Sequence, residues 1–127
     1  MPVVSRQEEL RDRTKKFALR IIRLFRHLPR SSEARVLGRQ LLRSGTSVAA
    51  NYRAAGRARS RAEFCAKIGI VVEEADESVF WLECLLDSGI MPPERLHDLV
   101  AEANALLAIF AASHQTARAA MAQKPVA

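Results

Sequence analysis

The sequence predicts an all-α protein, an antiparallel up-down four-helix bundle that assembles with copies of itself into a ring-like homo-oligomer. Apolar residues recur at alternating steps of three and four through four separate segments. The segments open on helix-start signals and stop at Pro or Gly. The links between them are short, which obliges neighbouring helices to run antiparallel. The 127 residues suffice for one core without metals or disulfides. A hydrophobic content of 49% with 5 Gly and 5 Pro excludes a disordered chain or a many-stranded β fold.

The first helix is predicted over residues 6–28. Ser5-Arg6-Gln7-Glu8 is a capping box, in which the serine takes an orphan backbone N–H and the glutamate reaches back. Leu10, Thr14, Phe17, Ile21, Leu24 and Leu28 form its seam, and Pro29 stops it. The second helix is expected over 33–56, with Leu37, Leu41, Ser44, Val48, Tyr52 and Ala55 inward and Gly56 as C-cap. Ser44-Gly45-Thr46-Ser47 is a poor helix former, since Gly costs about 1 kcal/mol relative to Ala. Small side chains there let another helix approach closely.

A second capping box, Ser60-Arg61-Ala62-Glu63, opens the third helix, predicted over 61–88. Its seam is Phe64, Ile68, Val71, Ala75, Val79, Leu82 and Leu86, and Ser88-Gly89 ends it. The fourth helix, over 93–119, begins at Pro92-Pro93 and carries Leu96, Leu99, Ala103, Leu106, Phe110 and Ala117 inward. Residues 120–127 lose the pattern and read as a flexible tail. Helices of this size are about 35–40 Å long.

Self-association follows from the third helix, where Ile70, Val72, Phe80, Trp81 and Leu85 are apolar but off the seam. A helix with one buried stripe is polar at such positions, so these residues call for a second covered surface. Charge supports the same expectation. Residues 1–62 hold 16 Lys+Arg and 4 Asp+Glu, whereas residues 63–127 hold 4 and 10. A basic half and an acidic half suit a head-to-tail contact, which closes into a ring when the rotation permits.

No apolar run reaches the roughly 18 residues of a membrane span. The polar, charged N-terminus lacks the apolar core of a signal peptide. Cys65 and Cys84, 19 positions apart on one helix, lie about 28 Å from each other and cannot pair. They read as buried free thiols in a reducing compartment, and the expected location is cytoplasmic.

The arginines carry the main functional signal. Arg35, Arg39 and Arg43 recur every four residues and share one helix face. Arg53, Arg57 and Arg61 repeat that spacing beside Arg59, and the first helix adds Arg13, Lys16, Arg20 and Arg23. Guanidinium groups hold phosphate through paired hydrogen bonds, so several on one face can follow a nucleic-acid backbone. The competing reading pairs them with Glu73, Asp76 and Glu77 of the third helix, leaving a protein-interaction scaffold with an Arg-rich face. Gly45, Asn51, Tyr52, Phe80 and Trp81 are expected in structural or assembly roles. Asn51 would serve as a capping or interhelical hydrogen-bonding group, and Tyr52 and Trp81 as core or interface rather than base-stacking residues.

The stretch from Gln40 to Arg53, Gln-Leu-Leu-Arg-Ser-Gly-Thr-Ser-Val-Ala-Ala-Asn-Tyr-Arg, resembles the signature of a bacterial four-helix bundle family. That family is named for open reading frames in intervening sequences of large-subunit ribosomal RNA genes. Arg57-Ala-Arg-Ser60-Arg-Ala-Glu63-Phe64, Glu73-Glu-Ala-Asp-Glu77 and Trp81-Leu-Glu83 resemble it too, and the likeness spans about Phe17 to Ser113. The resemblance implies a ring of bundles, typically a pentamer. It also implies a relationship to the accessory protein of diversity-generating retroelements, a basic pentamer that binds nucleic acid and a reverse transcriptase. Many members read Asn-Ile-Ala-Glu-Gly where this chain reads Asn51-Tyr52-Arg53-Ala54-Ala55-Gly56, so the glutamate and its local pairing are missing here.

Four-helix bundles also host metal sites. Di-iron bundles need two Glu-x-x-His motifs and two further glutamates. Glu94-Arg95-Leu96-His97 is a single copy at the start of a helix, so no metal or other cofactor is expected. No nucleophile elbow, P-loop or dinucleotide fingerprint is present, and the chain does not read as an enzyme. The expectation is a ring-forming bundle that binds RNA or DNA through the arginines of its first two helices and presents it to a protein partner.

Overall fold

The computed structural model describes residues 4–123. Four helices account for nearly all of them: α1 (Arg6–Arg26), α2 (Ser32–Ala55), α3 (Arg61–Asp87) and α4 (His97–Ala122). A single 3-10 turn, Pro93–Arg95, leads into α4, and no strand occurs among the described residues.

Three serines start three of the helices. The Ser5 hydroxyl accepts the Glu8 N–H at 3.1 Å, Ser31 that of Ala34 at 3.3 Å, and Ser60 that of Glu63 at 3.0 Å. The Glu63 carboxylate does not close on Ser60 as a capping box would; it accepts the Arg59 N–H at 3.4 Å. α1 ends two residues before the expected Leu28. The N–H groups of His27 and Leu28 bond carbonyls three residues back, tightening the last turn ahead of Pro29.

Gly56 is not a left-handed cap: its φ is −64°, which any residue adopts. A Cβ there would meet only the tip of the exposed Gln7 side chain, which is free to move aside. Gly89, at φ 73°, turns the chain out of α3 in the left-handed region that favours glycine. α4 begins at His97 rather than residue 93, because Leu96 (φ −114°) breaks the path between the 3-10 turn and the helix. Glu94 and His97 therefore lie on separate elements. α4 continues to Ala122, three residues past its expected end, and residues 124–127 of the expected tail lie outside the described residues.

α2 packs between α1 and α3, α3 packs between α2 and α4, and a lighter α1–α4 contact completes the bundle. Across that last contact, Arg13 donates twice to the Glu102 carboxylate, at 2.8 Å each. The hydrogen bond holds the Glu102 carboxyl below its usual range against the opposing effect of burial. The core runs the length of the bundle through Phe17, Ile21, Leu41, Ile68, Leu82 and Phe110. The Tyr52 and Phe110 rings, 5.0 Å apart, join α2 to α4 across it.

Most predicted seam positions are buried; Leu28, Leu37 and Ala117 are half-buried near helix ends, and α3 departs from its seam near both of its ends. Phe64 is 37% exposed while Cys65 is buried, and Leu85 is fully buried while Leu86 is only half-buried. α3 contacts helices on both sides, so its buried arc is wider than one seam, and Leu85 is drawn inside it. Phe64 lines a cleft to which α4 contributes mostly short side chains, Ala112, Ser113, Thr116 and Ala117, beside Ile109. Of the five off-seam apolar residues, then, Leu85 belongs to the chain's own core. Val72 and Trp81 are half-buried, and only Ile70 and Phe80 are exposed. Cys65 and Cys84 are free thiols, Cys65 buried and Cys84 half-buried.

The small residues of α2 serve two close approaches. The Gly45 Cα faces α1, where a Cβ would stand 2.9 Å from Ile21 Cγ1. Ser44 faces α3, its hydroxyl 2.9 Å from that of Ser78, with both side chains fully buried. The Ser78 hydroxyl also donates to the Glu74 carbonyl at 2.8 Å.

Candidate nucleic-acid interface

The predicted arginines do not form one surface. α2 rises about 1.5 Å per residue, so its Arg39 and Arg53 are separated by about 21 Å along the axis. Arg35 and Arg39 belong to one end of the bundle, where with Arg26 and Arg30 they edge a cleft under Phe25 and Leu28. Arg20 and Arg23 lie at the same end on the α1–α4 side, near His27 and Arg95. Arg53, Arg57, Arg59 and Arg61 belong to the opposite end.

Only one of the predicted arginines is neutralised by α3. Arg43 is paired with Glu74 at 3.0 Å and, more closely, with Glu77. Glu77 also accepts the Trp81 indole N–H at 3.1 Å. These donors, Arg43 first, hold the Glu77 carboxyl below its usual range. Of the three α3 carboxylates expected to answer the arginines, only Glu77 does so; Glu74, not anticipated, is the second. Glu73 and Asp76 are exposed and make no ion pair among the described residues.

Arg20, Arg23, Arg35 and Arg39 at the first end make no ion pair among the described residues, and the same holds at the far end. Arg53, Arg57 and Arg59, with Lys67, line a shallow groove of about 490 Å³ in which Glu63 is the only carboxylate. Glu63 is engaged by the Arg59 backbone N–H, and none of the four cations has a carboxylate within 4.0 Å among the described residues. Arg53 is set by the last turn of α2, and Arg57 and Arg59 by the loop that Ser60 ends when it caps α3. Arg61, in the first turn of α3, edges the adjoining cleft. Positive charge next to the α2 C-terminus suits the helix dipole, which lowers the cost of gathering it there.

The five remaining predicted residues serve the fold and its surface. Gly45 and Tyr52 are buried. Asn51 is half-buried, and its side-chain N–H donates to the Ser47 carbonyl of its own helix at 2.9 Å, not to another helix. Trp81 packs edge-on against Phe80 at 4.9 Å. Phe80 is 55% exposed and shares its helix face with exposed Glu73, Asp76, Glu83 and Asp87. No helix among the described residues is long and apolar enough to cross a membrane.

The family model described as 23S rRNA-intervening sequence protein matches residues 6–120. A solved structure from Bacteroides thetaiotaomicron VPI-5482, a protein of unknown function from the S23 ribosomal protein family, is similar with a TM-score of 0.80 and 31% identity. The alignment covers 87% of this chain and 99% of that one. No curated protein matches the chain.

Proposed function

From the premise that this chain belongs to the 23S rRNA-intervening sequence protein family, we propose that it is a non-enzymatic binding module for RNA or DNA, working as a ring of copies. One observation carries the binding reading. Arg53, Arg57, Arg59 and Lys67 share a groove in which no carboxylate pairs with them, whereas structural charges such as Arg13 and Arg43 are paired. Unpaired, clustered cations on an open surface are what a phosphate backbone needs. A protein scaffold built on arginine–carboxylate pairing is supported only at Arg43.

Changing Arg57, Arg59 and Arg61 together to Gln is expected to leave folding and assembly nearly intact and to weaken nucleic-acid binding. It is also expected to flatten the dependence of log affinity on log salt by about 0.7–0.9 for each phosphate that the variant no longer neutralises. A triple variant that binds like the parent, with the same slope, would remove these residues from the binding surface.

The self-association half rests on α3. Its outer face presents Phe80 among four carboxylates, and α2 presents Val36, 59% exposed, between Arg35 and Arg39. An acidic face with an apolar centre complements a basic one, and such unlike faces join copies head to tail. Light scattering should give a species several times the 14.1 kDa chain mass. Phe80→Asp should shift it toward the monomer. A monomeric parent at micromolar concentration rules the ring out.

A further inference from the structure

Beside the basic groove lies a larger cleft of about 980 Å³, between the start of α1, the α2–α3 loop and the last turns of α4. Its walls are apolar: Phe64, Ile109, Ala55, Ala112 and Ala117. Arg6, Arg59 and Arg61 stand at its edge. Arg59 lines both the cleft and the basic groove, so the two adjoin.

We infer that this end of the bundle takes single-stranded nucleic acid in preference to duplex, with an unstacked base seated against Phe64 and the flanking phosphates held by Arg57, Arg59 and Lys67. The inference rests on the nucleic-acid reading above and adds the substrate class to it. Duplex DNA or RNA presents phosphates to a basic groove but keeps its base faces stacked. A single strand presents both, and an aromatic beside a cationic track is the arrangement that binds it without regard to sequence. Phe64 fits the role because the residue is 37% exposed although it lies on the expected core seam. The short side chains of α4 opposite it leave room for a flat ring. The charge at the edge favours a polyanion over an acidic peptide, because three arginines meet at one mouth and a phosphate chain supplies an anion at every residue.

The test compares three probes of equal length on the full chain: a thymidine oligomer, its abasic counterpart and a duplex. The thymidine strand is expected to bind most tightly. Phe64→Ala should lower its affinity about 5- to 100-fold, the range for removing one base–aromatic stack, with the salt slope and the abasic affinity unchanged. Phe64→Tyr, which keeps the ring, should restore it, and matched thermal unfolding of the variants separates binding from folding. Equal binding of thymidine and abasic strands, or of strand and duplex, overturns the single-strand inference while leaving the phosphate-binding reading standing. Failure of all three probes overturns both, and displacement of the thymidine strand by an acidic peptide at matched charge reassigns the cleft to a protein partner.

Discussion

Phe110→Ala is expected to destabilise the bundle by about 3–5 kcal/mol, the usual cost of emptying a buried aromatic site. Phe110 is fully buried in α4, and its ring stands 5.0 Å from that of Tyr52. Truncation removes that ring pair and leaves a void between two helices that do not otherwise pack extensively. In a chain of this size the loss corresponds to a fall in Tm on the order of 10–20 °C. Denaturant unfolding at a fixed protein concentration checks it. A loss below about 1 kcal/mol would mean that the α2–α4 core is not packed as described.

Gly45→Leu acts on the other side of α2 and is expected to cost about 1–3 kcal/mol or more. A Cβ alone would meet Ile21 Cγ1 at 2.9 Å, and the rest of a leucine has nowhere to go without pushing α1 away. Gly45→Ala meets the same buried Ile21 side chain, and about 1 kcal/mol of gained helix propensity offsets part of the clash, so it should destabilise less than Gly45→Leu. Pairing Gly45→Leu with Ile21→Ala should recover part of the loss, because the two side chains compete for one space. If Gly45→Leu unfolds at the parent's midpoint, α1 does not approach α2 at that turn.

The core was legible in the sequence because a seam needs only periodicity. Leu10 through Leu24 on α1 and Leu99 through Phe110 on α4 are buried where the three-four spacing puts them. Phe64 and Leu85 escaped that logic. A seam assigns one stripe per helix, whereas α3 packs against helices on both sides, and cover at its first turn depends on what α4 brings opposite. The run Ala111-Ala112 with Ala117, Ala119 and Ala120 was the available signal that cover there would be thin.

The arginines show the same limit. Their spacing identified a shared α2 face for Arg35, Arg39 and Arg43, whereas Arg53, Arg57 and Arg61 fall on α2, the loop and α3. That Arg43 is paired while Arg39, one turn away, is not depends on the register of α2 against α3, which brings Glu74 and Glu77 beside one and not the other. Spacing along one helix carries no information about that register. Four of the arginines, Arg35, Arg39, Arg43 and Arg53, lie on α2, whose length puts the first and last of them toward opposite ends of the bundle.

The central claim is that the unpaired cations at the α2–α3 end hold a phosphate backbone. The most direct measurement is the equilibrium affinity of the full chain for a single-stranded oligonucleotide across a salt series. With Arg53, Arg57, Arg59, Arg61 and Lys67 engaged, log affinity should fall linearly with log salt at a slope of about −3 to −4 per protomer. Binding that does not weaken with salt, or no binding between about 50 and 200 mM, would contradict the account.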